Sequence, residues 1–334
     1  MTNRERVCAA LEYRQPDRTP YQIGFTEKAK AAMDEYYGGD GYLELIDNCL
    51  HRVEANPGPK EGWIDDDVWQ DEFGVQWDRS VDRDIGNPCN RLLPKRDLCG
   101  LEMPDPASDH KFGDFEQKLA EAGECAVSFG IGFSLFERAW TLRGMEKLFI
   151  DMMEAPHFVH DLLDMICDYN IALVEKGVQY DIDIVQFGDD WGSQEGLLMG
   201  RRLWEKFIKP RLARQYTAVK DTGKFLAIHS CGRVQEVFPD LIELGLDCFN
   251  PFQPEVMDVY EMKDTFGGRL AFWGGISTQQ LLPYGTPPQV REVVNNTIEY
   301  VGNGGGYICG PAHAIPGDAK PENIMAMIET LNAQ

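Results

Sequence analysis

Long apolar runs are missing from this sequence. No stretch approaches the roughly 18 apolar residues that a membrane-spanning helix needs. The opening segment, MTNRERVCAALEYRQPDRTP, carries charges where a secretory signal peptide requires an apolar core. We therefore expect a cytoplasmic protein that does not cross a membrane.

Basic residues are also scarce. The chain has 32 Lys and Arg against 55 Asp and Glu, which gives a formal net charge of −23. Such an acidic surface repels the phosphate backbone of nucleic acids and the headgroups of anionic membranes. We therefore expect neither a nucleic acid nor a membrane surface as a partner.

Cysteine is present, but without the pattern of a disulfide framework. The nine cysteines are odd in number and scattered over 334 residues. A disulfide framework typically has an even number of cysteines in a small secreted chain. Most of them are expected to pack as small buried side chains, so any chemical role must be argued from neighbouring residues.

Short apolar strands alternate with amphipathic helices along most of the chain. This rhythm indicates βαβ units and a parallel sheet. The seven predicted strands lie at Thr19–Gly24, Ala126–Phe129, Ile184–Gly188, Phe225–His229, Cys248–Asn250, Leu270–Trp273 and Tyr307–Gly310. A closed barrel requires eight strands, so one is missing from this interpretation. The alternative, an open doubly wound sheet, lacks the expected Gly-x-Gly-x-x-Gly after the first strand.

The predicted helices complete the pattern. They cover residues 3–11, 28–36, 113–122, 143–153, 156–178, 201–221, 234–243, 257–265, 287–302 and 321–332. Between them, residues 63–110 form an acidic, aromatic and Pro-punctuated segment with a small hairpin predicted near Gly74–Asp78. We predict one α/β domain over residues 1–334. Its fold would be a (β/α)8 TIM barrel with an N-terminal extension and a rim insertion at about 63–110.

Reactive side chains follow several of the predicted strands, where barrel enzymes place their active sites. His229 and Cys231 are two residues apart at a strand end, so their side chains point to the same side. Imidazole and thiolate are good zinc ligands, and either Cys309 or His313 on the last strand and its loop could complete a three-ligand site. The competing interpretation is a hydrogen-bonded histidine beside a packed thiol.

Three carboxylates are candidates for acid–base or binding roles. Asp189 and Asp190 are adjacent after a strand, so a strand would direct them to opposite sides, and we expect at least one to face the pocket. The other would cap a helix or face water. Glu255 is a candidate base or metal ligand, but it could equally cap the helix predicted at 257–265.

Aromatic residues also gather at the predicted strand ends and loops. They are candidates for the floor of an apolar pocket, although core packing explains most aromatic residues equally well. The residues concerned are Phe129, Phe133, Trp191, Phe252 and Trp273.

Six short motifs, in this order along nearly the whole chain, resemble the uroporphyrinogen decarboxylase superfamily. The matching motifs are Glu12–Pro20, Asp189–Gln194, His229–Gly232, Asn250–Pro254, Gly274–Ile276 and Gly306–Ile308. The resemblance implies a (β/α)8 barrel and one of two chemistries. True decarboxylases of the family have arginines after the first strand to hold substrate carboxylates, whereas this chain has Gly24-Phe25-Thr26-Glu27-Lys28 there.

The other branch of the superfamily contains corrinoid-dependent methyltransferases with a His-x-Cys motif and a later cysteine that complete a zinc site. His229 and Cys231 match that motif, and His313 lies where the family has its cysteine, with Cys309 four residues earlier. The amino-acid sequences of the Asp189–Gln194 and His229–Gly232 segments resemble those of the aryl-ether O-demethylase subgroup. The resemblance thus implies Zn²⁺ and cobalamin as cofactors, and it is compatible with a homodimer.

The resulting hypothesis is a methyltransferase that moves a methyl group between a small donor, such as a methoxylated aromatic, and cobalt. The cobalamin would be carried by a separate corrinoid protein, since the barrel leaves no room in 334 residues for its binding module. Asp190 or Glu255 would protonate or orient the leaving group. The alternatives are transfer from methylcorrinoid to a thiol, a metal-free decarboxylase, and a non-catalytic barrel that binds a ligand or scaffolds a corrinoid protein.

Overall fold

The structure is a computed structural model that describes all 334 residues. Its strands are β1 (Leu50–Val53), β2 (Gly62–Trp63), β3 (Val68–Gln70), β4 (Gln76–Asp78), β5 (Asn87–Pro88), β6 (Ala126–Ile131), β7 (Ile184–Gly188), β8 (Phe225–His229), β9 (Cys248–Phe252), β10 (Ala271–Ile276) and β11 (Tyr307–Pro311). Seven of them form one parallel sheet in the order β1-β6-β7-β8-β9-β10-β11. The predicted α/β class is confirmed.

A short segment at residues 20–22 joins the two edges of this sheet. The amide of Cys309 in β11 donates to Pro20 O at 2.8 Å, and the amide of Gln22 donates to Cys309 O at 2.9 Å. On the other side, the amide of Cys49, next to β1, donates to Tyr21 O at 2.9 Å. The segment therefore occupies the eighth position and closes the sheet into a barrel.

The strand missing from the sequence interpretation is β1. It pairs in parallel with β6, with Leu50 opposite Ala126 and Val53 opposite Phe129. Its sequence, LHRV, is only half apolar because His51 and Arg52 interrupt it, so it does not show the continuous apolar run of a buried parallel strand.

The helices largely follow the prediction. They are α1 (Asn3–Leu11), α2 (Glu27–Tyr37), α3 (Asp109–Phe112), α4 (Phe115–Ala120), α5 (Phe136–Arg143), α6 (Met145–Glu154), α7 (Pro156–Gly177), α8 (Gly200–Leu203), α9 (Lys209–Lys220), α10 (Phe238–Glu243), α11 (Val259–Phe266), α12 (Leu281–Tyr284), α13 (Pro287–Val301) and α14 (Pro321–Asn332). Turns of 3-10 helix cover Asp40–Leu45 and Gln235–Val237, and a π-helical turn covers Trp204–Ile208. No helix is both long and apolar enough to span a bilayer.

Three differences from the predicted helices concern short segments. The helix predicted at 113–122 is the shorter α4, and α3 lies before it at Asp109–Phe112, where no helix was predicted. The start predicted at 143 lies at Met145, because Gly144 has a left-handed φ of 92° that separates α5 from α6. Like α3, helices α5 and α12 were not predicted from the sequence.

The rim insertion contains a small antiparallel sheet in the order β2-β3-β4-β5. The hairpin predicted near Gly74–Asp78 is the β3–β4 pair, in which Trp69 lies opposite Trp77. Trp77 is buried and its ring contacts Phe133 edge to face at 5.0 Å between centroids. This contact holds the rim sheet against the loop that follows β6.

Helix α1 covers the amino ends of the barrel strands. Its Val7 and Leu11 pack in a buried cluster with residues at the starts of the strands, which are Leu50, Ala126, Ile184, Ala227, Cys248, Ala271 and Ile308. Burial of this apolar layer closes the amino end of the barrel. A ligand must therefore enter at the opposite end, where the strands reach their carboxyl termini.

Candidate metal centre and cavity

A cavity of about 400 Å³ opens at the carboxyl ends of the barrel strands. This volume lies within the range of small-molecule sites in proteins. Its wall includes side chains from four strands, from the loops after three others and from the first turn of α5. These are Arg52, Phe133, Glu137, Asp190, His229, Asn250, Trp273 and His313.

Three potential metal ligands meet at one side of this cavity. One ligand atom from each of His229, Cys231 and His313 lies within 4.8 Å of the other two. The Nε2 atom of His229 lies 3.4 Å from Cys231 Sγ, and the rings of His229 and His313 are 5.3 Å apart between centroids. Two imidazoles and one thiol form a donor set that fits Zn²⁺ and leaves a fourth position for a ligand.

The turn after β8 fixes the direction of Cys231. The amide of Ser230 donates to Asn250 O at 2.7 Å, and the amide of Cys231 donates to Asp190 Oδ1 at 2.8 Å. The next residue, Gly232, has a φ of 87°, and a Cβ atom there would lie 2.5 Å from the main chain of Gly192. Only glycine fits this close approach, so the turn brings Cys231 back beside His229.

Asn250 orients the imidazole of His229. Its Oδ1 atom lies 2.5 Å from His229 Nδ1, while its Nδ2 donates to Trp273 O at 3.0 Å. The amide is thereby assigned with its oxygen toward the histidine, so Nδ1 carries the proton and donates. The Nε2 atom is left with a free lone pair on the side of Cys231, as a metal ligand requires.

Burial shifts the titration of both residues in the motif. Burial, opposed by the charge of Asp190 and reinforced by His313, lowers the pKa of His229 and keeps the imidazole neutral. Burial and the neighbouring Asp190 carboxylate raise the pKa of the Cys231 thiol above its usual range. The thiol therefore holds its proton until a cation binds and displaces it.

The structure separates the two alternatives for the third ligand. His313 reaches the cluster from the loop after β11, whereas Cys309 lies inside β11, opposite Gly274, with no exposed surface. Burial raises the pKa of Cys309 to about 12, as expected for a packed thiol. The suggestion that Cys309 is a ligand is therefore wrong in this geometry, because its side chain packs in the core rather than at the cavity.

The two adjacent aspartates have different surroundings. Asp190 lines the cavity. Asp189 is fully buried and accepts hydrogen bonds from the amides of Leu135, Phe136 and Glu137 at 2.8–3.1 Å, and from the Trp191 indole. The expected substrate-binding role of Asp189 is not supported, since its oxygens are committed to the start of α5.

Two of the five aromatic candidates line the cavity, Phe133 and Trp273. Phe129 packs on Phe115 at 5.6 Å, Trp191 on Trp204 at 5.8 Å, and Phe252 on Phe272 at 4.3 Å between ring centroids. All three are fully buried in these aromatic pairs and lie outside the cavity wall. Their assignment to the substrate was therefore wrong, and core packing explains them.

The glutamate at the cavity is Glu137 rather than Glu255. Glu255 lies outside the wall and accepts a hydrogen bond from the Ser277 hydroxyl. Glu137 lines the cavity beside Asp190, and burial together with the charges of Asp190 and Asp189 raises its pKa well above the usual range. Glu137 lies in the first turn of the helix after β6, a position that would have marked it as a candidate. The sequence pattern did not predict α5, so Glu137 was not recognised.

Comparison with known proteins agrees with this architecture. A curated uroporphyrinogen decarboxylase from Methylococcus capsulatus is 24% identical over 259 residues, covering 73% of this chain and 70% of that protein. A methylated-thiol–coenzyme M methyltransferase from Methanosarcina mazei is 24% identical over 202 residues, covering 58% of this chain and about half, 51%, of that relative. A solved methyltransferase from Methanosarcina mazei superimposes with a TM-score of 0.75 at 16% identity, covering 100% of this chain and 99% of the other.

At 16% identity, the structural likeness demonstrates a shared fold. The family assignment depends instead on the sequence. The family profile described as uroporphyrinogen decarboxylase matches residues 120–334, which is more than half of the chain. This match extends from α4 to the C-terminus and includes His229, Cys231 and His313. The chain therefore belongs to the uroporphyrinogen decarboxylase family.

Proposed function

We propose that this protein is a methyltransferase that moves a methyl group between a small donor and the cobalt of a corrinoid carried by a separate protein. His229, Cys231 and His313 would hold Zn²⁺. The observation that carries this proposal is the convergence of these three donors, within 4.8 Å of one another, at the cavity on the carboxyl side of the barrel.

The charge of the cavity supports methyl transfer over decarboxylation of a tetrapyrrole. Arg52 is the only Lys or Arg in the wall, whereas Glu137 and Asp190 contribute two carboxyl groups. A substrate rich in carboxylates requires several cationic partners, preferably arginines in bidentate geometry. A neutral methyl donor has no such requirement.

The shape of the cavity supports an aromatic donor. Trp273 and Phe133 supply aromatic surface in the wall, and the cavity volume of about 400 Å³ suits a single substituted ring. A methoxylated aromatic would place its ring between these side chains and its methoxy group toward the His229–Cys231–His313 cluster.

The difficult step is the departure of the donor oxygen. When the bond between the methyl carbon and the oxygen breaks, the bonding electrons stay on the oxygen, which must be stabilised or protonated. Bound zinc would supply a Lewis acid for this oxygen. Burial and the charges of Asp190 and Asp189 raise the pKa of Glu137 and so favour its protonated form, which can donate a proton to the oxygen and become a carboxylate.

The other residues of the site act by positioning. Asn250 holds His229 with Nε2 toward Cys231, and Asp190 accepts the amide hydrogen of Cys231. Both contacts fix ligand atoms before any substrate arrives, which limits reorganisation during the reaction.

A thiol is the second candidate for the small substrate. The relative from Methanosarcina mazei named methylated-thiol–coenzyme M methyltransferase favours it, since the name describes methyl groups on sulfur. A thiolate also suits a zinc site, because zinc binds sulfur ligands readily. Donor screens should therefore contain thioethers beside aryl methyl ethers.

The test combines metal analysis with a donor screen. We expect purified protein to contain about one zinc per chain and to methylate free cob(I)alamin from at least one aryl methyl ether or thioether. The variants His229→Ala and Cys231→Ala should lose both zinc and methyl transfer, while circular dichroism shows an intact fold.

Three other results would contradict the proposal. Unchanged methyl transfer in both variants would exclude the zinc role. Release of CO₂ from a carboxylated tetrapyrrole, with no methyl transfer from any donor, would indicate a decarboxylase. Saturable ligand binding without turnover of any substrate would indicate a binding protein.

A further inference from the structure

A second cavity of about 390 Å³ lies between the barrel mouth and the rim insertion, and we refer to it as the rim cavity. Polar and aromatic side chains of the rim insertion and of helices α3, α5 and α7 line it, chiefly Glu61, Glu72, Phe73, Lys111, Arg138 and Tyr169. Neither the zinc cluster nor the methyl transfer proposed above uses these side chains.

The rim cavity and the metal-side cavity share one wall. Arg52, Gly132 and Phe133 line both cavities. Arg52 can lie close to β6 because Gly130 has no side chain, and a Cβ atom there would be 2.7 Å from Arg52 Nε. Phe133 has a left-handed φ of 48°, which is rare for a bulky residue, and contacts Trp77 of the rim sheet. The two cavities therefore adjoin at these residues, with open space beside Gly132, where no atom lies within 4 Å of an added Cβ atom.

The cations around the rim cavity are already paired. Lys111 forms an ion pair with Glu72, and Glu72 also accepts a hydrogen bond from the Tyr169 hydroxyl at 2.6 Å. Arg138 donates to Asp71 at 2.5 Å. Arg52 pairs in the same way with Glu54, at 2.7 Å. Because each cation has its own carboxylate, none of them is left to neutralise an anionic ligand.

Glu61 is the exception in this wall. It is half-buried, and its carboxyl group forms no side-chain hydrogen bond and no ion pair, whereas the other two glutamates, Glu54 and Glu72, form ion pairs. Burial and the charges of Glu72 and Asp71 raise the pKa of Glu61 to about 7. A half-buried acceptor without a partner, facing a cavity, is available for a ligand.

We propose that the rim cavity binds the end of the methyl donor that is remote from the transferred methyl group, and that Glu61 accepts a hydrogen bond from a hydroxyl or protonated amine on that end. This assignment builds on the proposed methyl transfer. A hydrogen-bond donor supplies the partner that Glu61 lacks. A carboxylate arm would add a further negative charge beside Glu61 and Glu72 and find no free cation.

The experiment uses four anisoles that differ only in a para arm. The arms are 2-hydroxyethyl (the ethanol arm), 2-aminoethyl (the ethylamine arm), carboxymethyl (the acetate arm) and propyl. They have the same number of non-hydrogen atoms, except that the acetate arm has one more. Their dissociation constants are measured by isothermal titration calorimetry on the purified full-length protein, without corrinoid and therefore without turnover. We expect the ethanol or ethylamine arm to bind more tightly than propyl by about tenfold or more, and acetate to bind most weakly.

The variant Glu61→Gln and a matched control separate the contact from general effects. The variant should reduce the preference for the polar arm over the propyl arm about tenfold, because it removes the charged acceptor. Glu102→Gln is the control, since Glu102 lies in the same insertion but is exposed and pairs with Lys60. It should leave the order of the four affinities as in the unmodified protein.

The outcomes distinguish this proposal from the one before it. Preference for the ethylamine arm indicates an ion pair with Glu61, and preference for the ethanol arm indicates a hydrogen bond; both support the proposal. An affinity order that Glu61→Gln does not alter, or an acetate arm that binds as tightly as the others, overturns it. A Glu61-dependent order with no methyl transfer from any donor would instead overturn the methyltransferase assignment alone.

Discussion

His229 Nδ1 lies 2.5 Å from Asn250 Oδ1, and Asn250 in turn donates to the main-chain oxygen of Trp273. The contact links three neighbouring strands, β8, β9 and β10, through one side chain. It holds the imidazole in one tautomer and turns Nε2 toward Cys231. The ligand geometry is therefore set by a residue that does not itself belong to the cluster.

Replacing this residue should weaken metal binding. In Asn250→Ala, we expect the zinc affinity to fall about 10- to 100-fold, because the imidazole loses the partner that fixes its orientation. Competition with a chromogenic chelator measures this affinity, and circular dichroism reports on the fold. Zinc affinity within twofold of the unmodified protein would show that Asn250 does not orient His229.

The third ligand is tested by a pair of variants on the last strand and its loop. His313→Ala should lose bound zinc, whereas Cys309→Ala should retain it and lose only about 1 kcal/mol of stability from a small cavity in the core. Inductively coupled plasma mass spectrometry of the dialysed proteins measures the zinc content per chain. Loss of zinc in Cys309→Ala with retention in His313→Ala would reverse the assignment.

Glu137 should affect the rate and its pH dependence. If its neutral carboxyl group is the proton donor, kcat falls as the pH rises through its raised pKa, because deprotonation removes the acid. In Glu137→Gln, kcat should fall about 100-fold or more, and this alkaline limb should disappear. The measurement is kcat against pH with a saturating donor. A preserved alkaline limb in the variant would assign the proton to another group.

Asp189 should matter for stability, since its oxygens accept hydrogen bonds from one indole and from three amides at the start of α5, those of Leu135, Phe136 and Glu137. Burial raises the pKa of Asp189 to about 6, so the ionised carboxylate itself destabilises the folded state somewhat. The variant Asp189→Ala nevertheless leaves four buried hydrogen-bond donors without an acceptor. We expect the free energy of unfolding to fall by about 2–4 kcal/mol in urea titrations. An exposed control, Asp66→Ala, should change it by less than about 0.5 kcal/mol.

The raised pKa of Glu61 predicts a pH-dependent stability. Its folded-state pKa of about 7 lies above the value of about 4.3 for a free glutamate. The stability contributed by the protonated group is present in acid and is lost as the pH rises through 7. Glu61→Gln removes this loss, so its melting temperature should exceed that of the unmodified protein above neutral pH and the difference should shrink in acid. A difference that does not vary with pH would contradict this origin.

The sequence predicted the repeating architecture well because parallel barrel strands are buried on both faces. Strands such as Ile184–Gly188 and Phe225–His229 are short apolar runs, and their observed bounds equal the predicted ones. Strand β1 failed this rule, since His51 and Arg52 occupy its centre. Arg52 lines the cavity there, so a charged side chain that faces the cavity concealed the strand.

The site residues that the sequence predicted correctly are those whose positions depend on local geometry. His229 and Cys231 meet because residues two apart at a strand end share a side, which is a local property. Phe129 and Phe252 also lie in strands β6 and β9, but their side chains pack on other aromatic residues in the core. Both faces of these strands are apolar. Side-chain alternation alone therefore did not show which residues point into the barrel and which point toward the helices.

The sequence by itself determined the alternation of strands and helices, the α/β class and the His229–Cys231 pair, because these depend on local periodicity and spacing. The tertiary structure decided that His313 rather than Cys309 joins the pair, that Glu137 rather than Glu255 lines the cavity, and that Glu61 stands without a partner. These relationships join residues that are distant in the chain. They depend on how the barrel closes and on which face of each strand points inward, and short-range patterns contain neither.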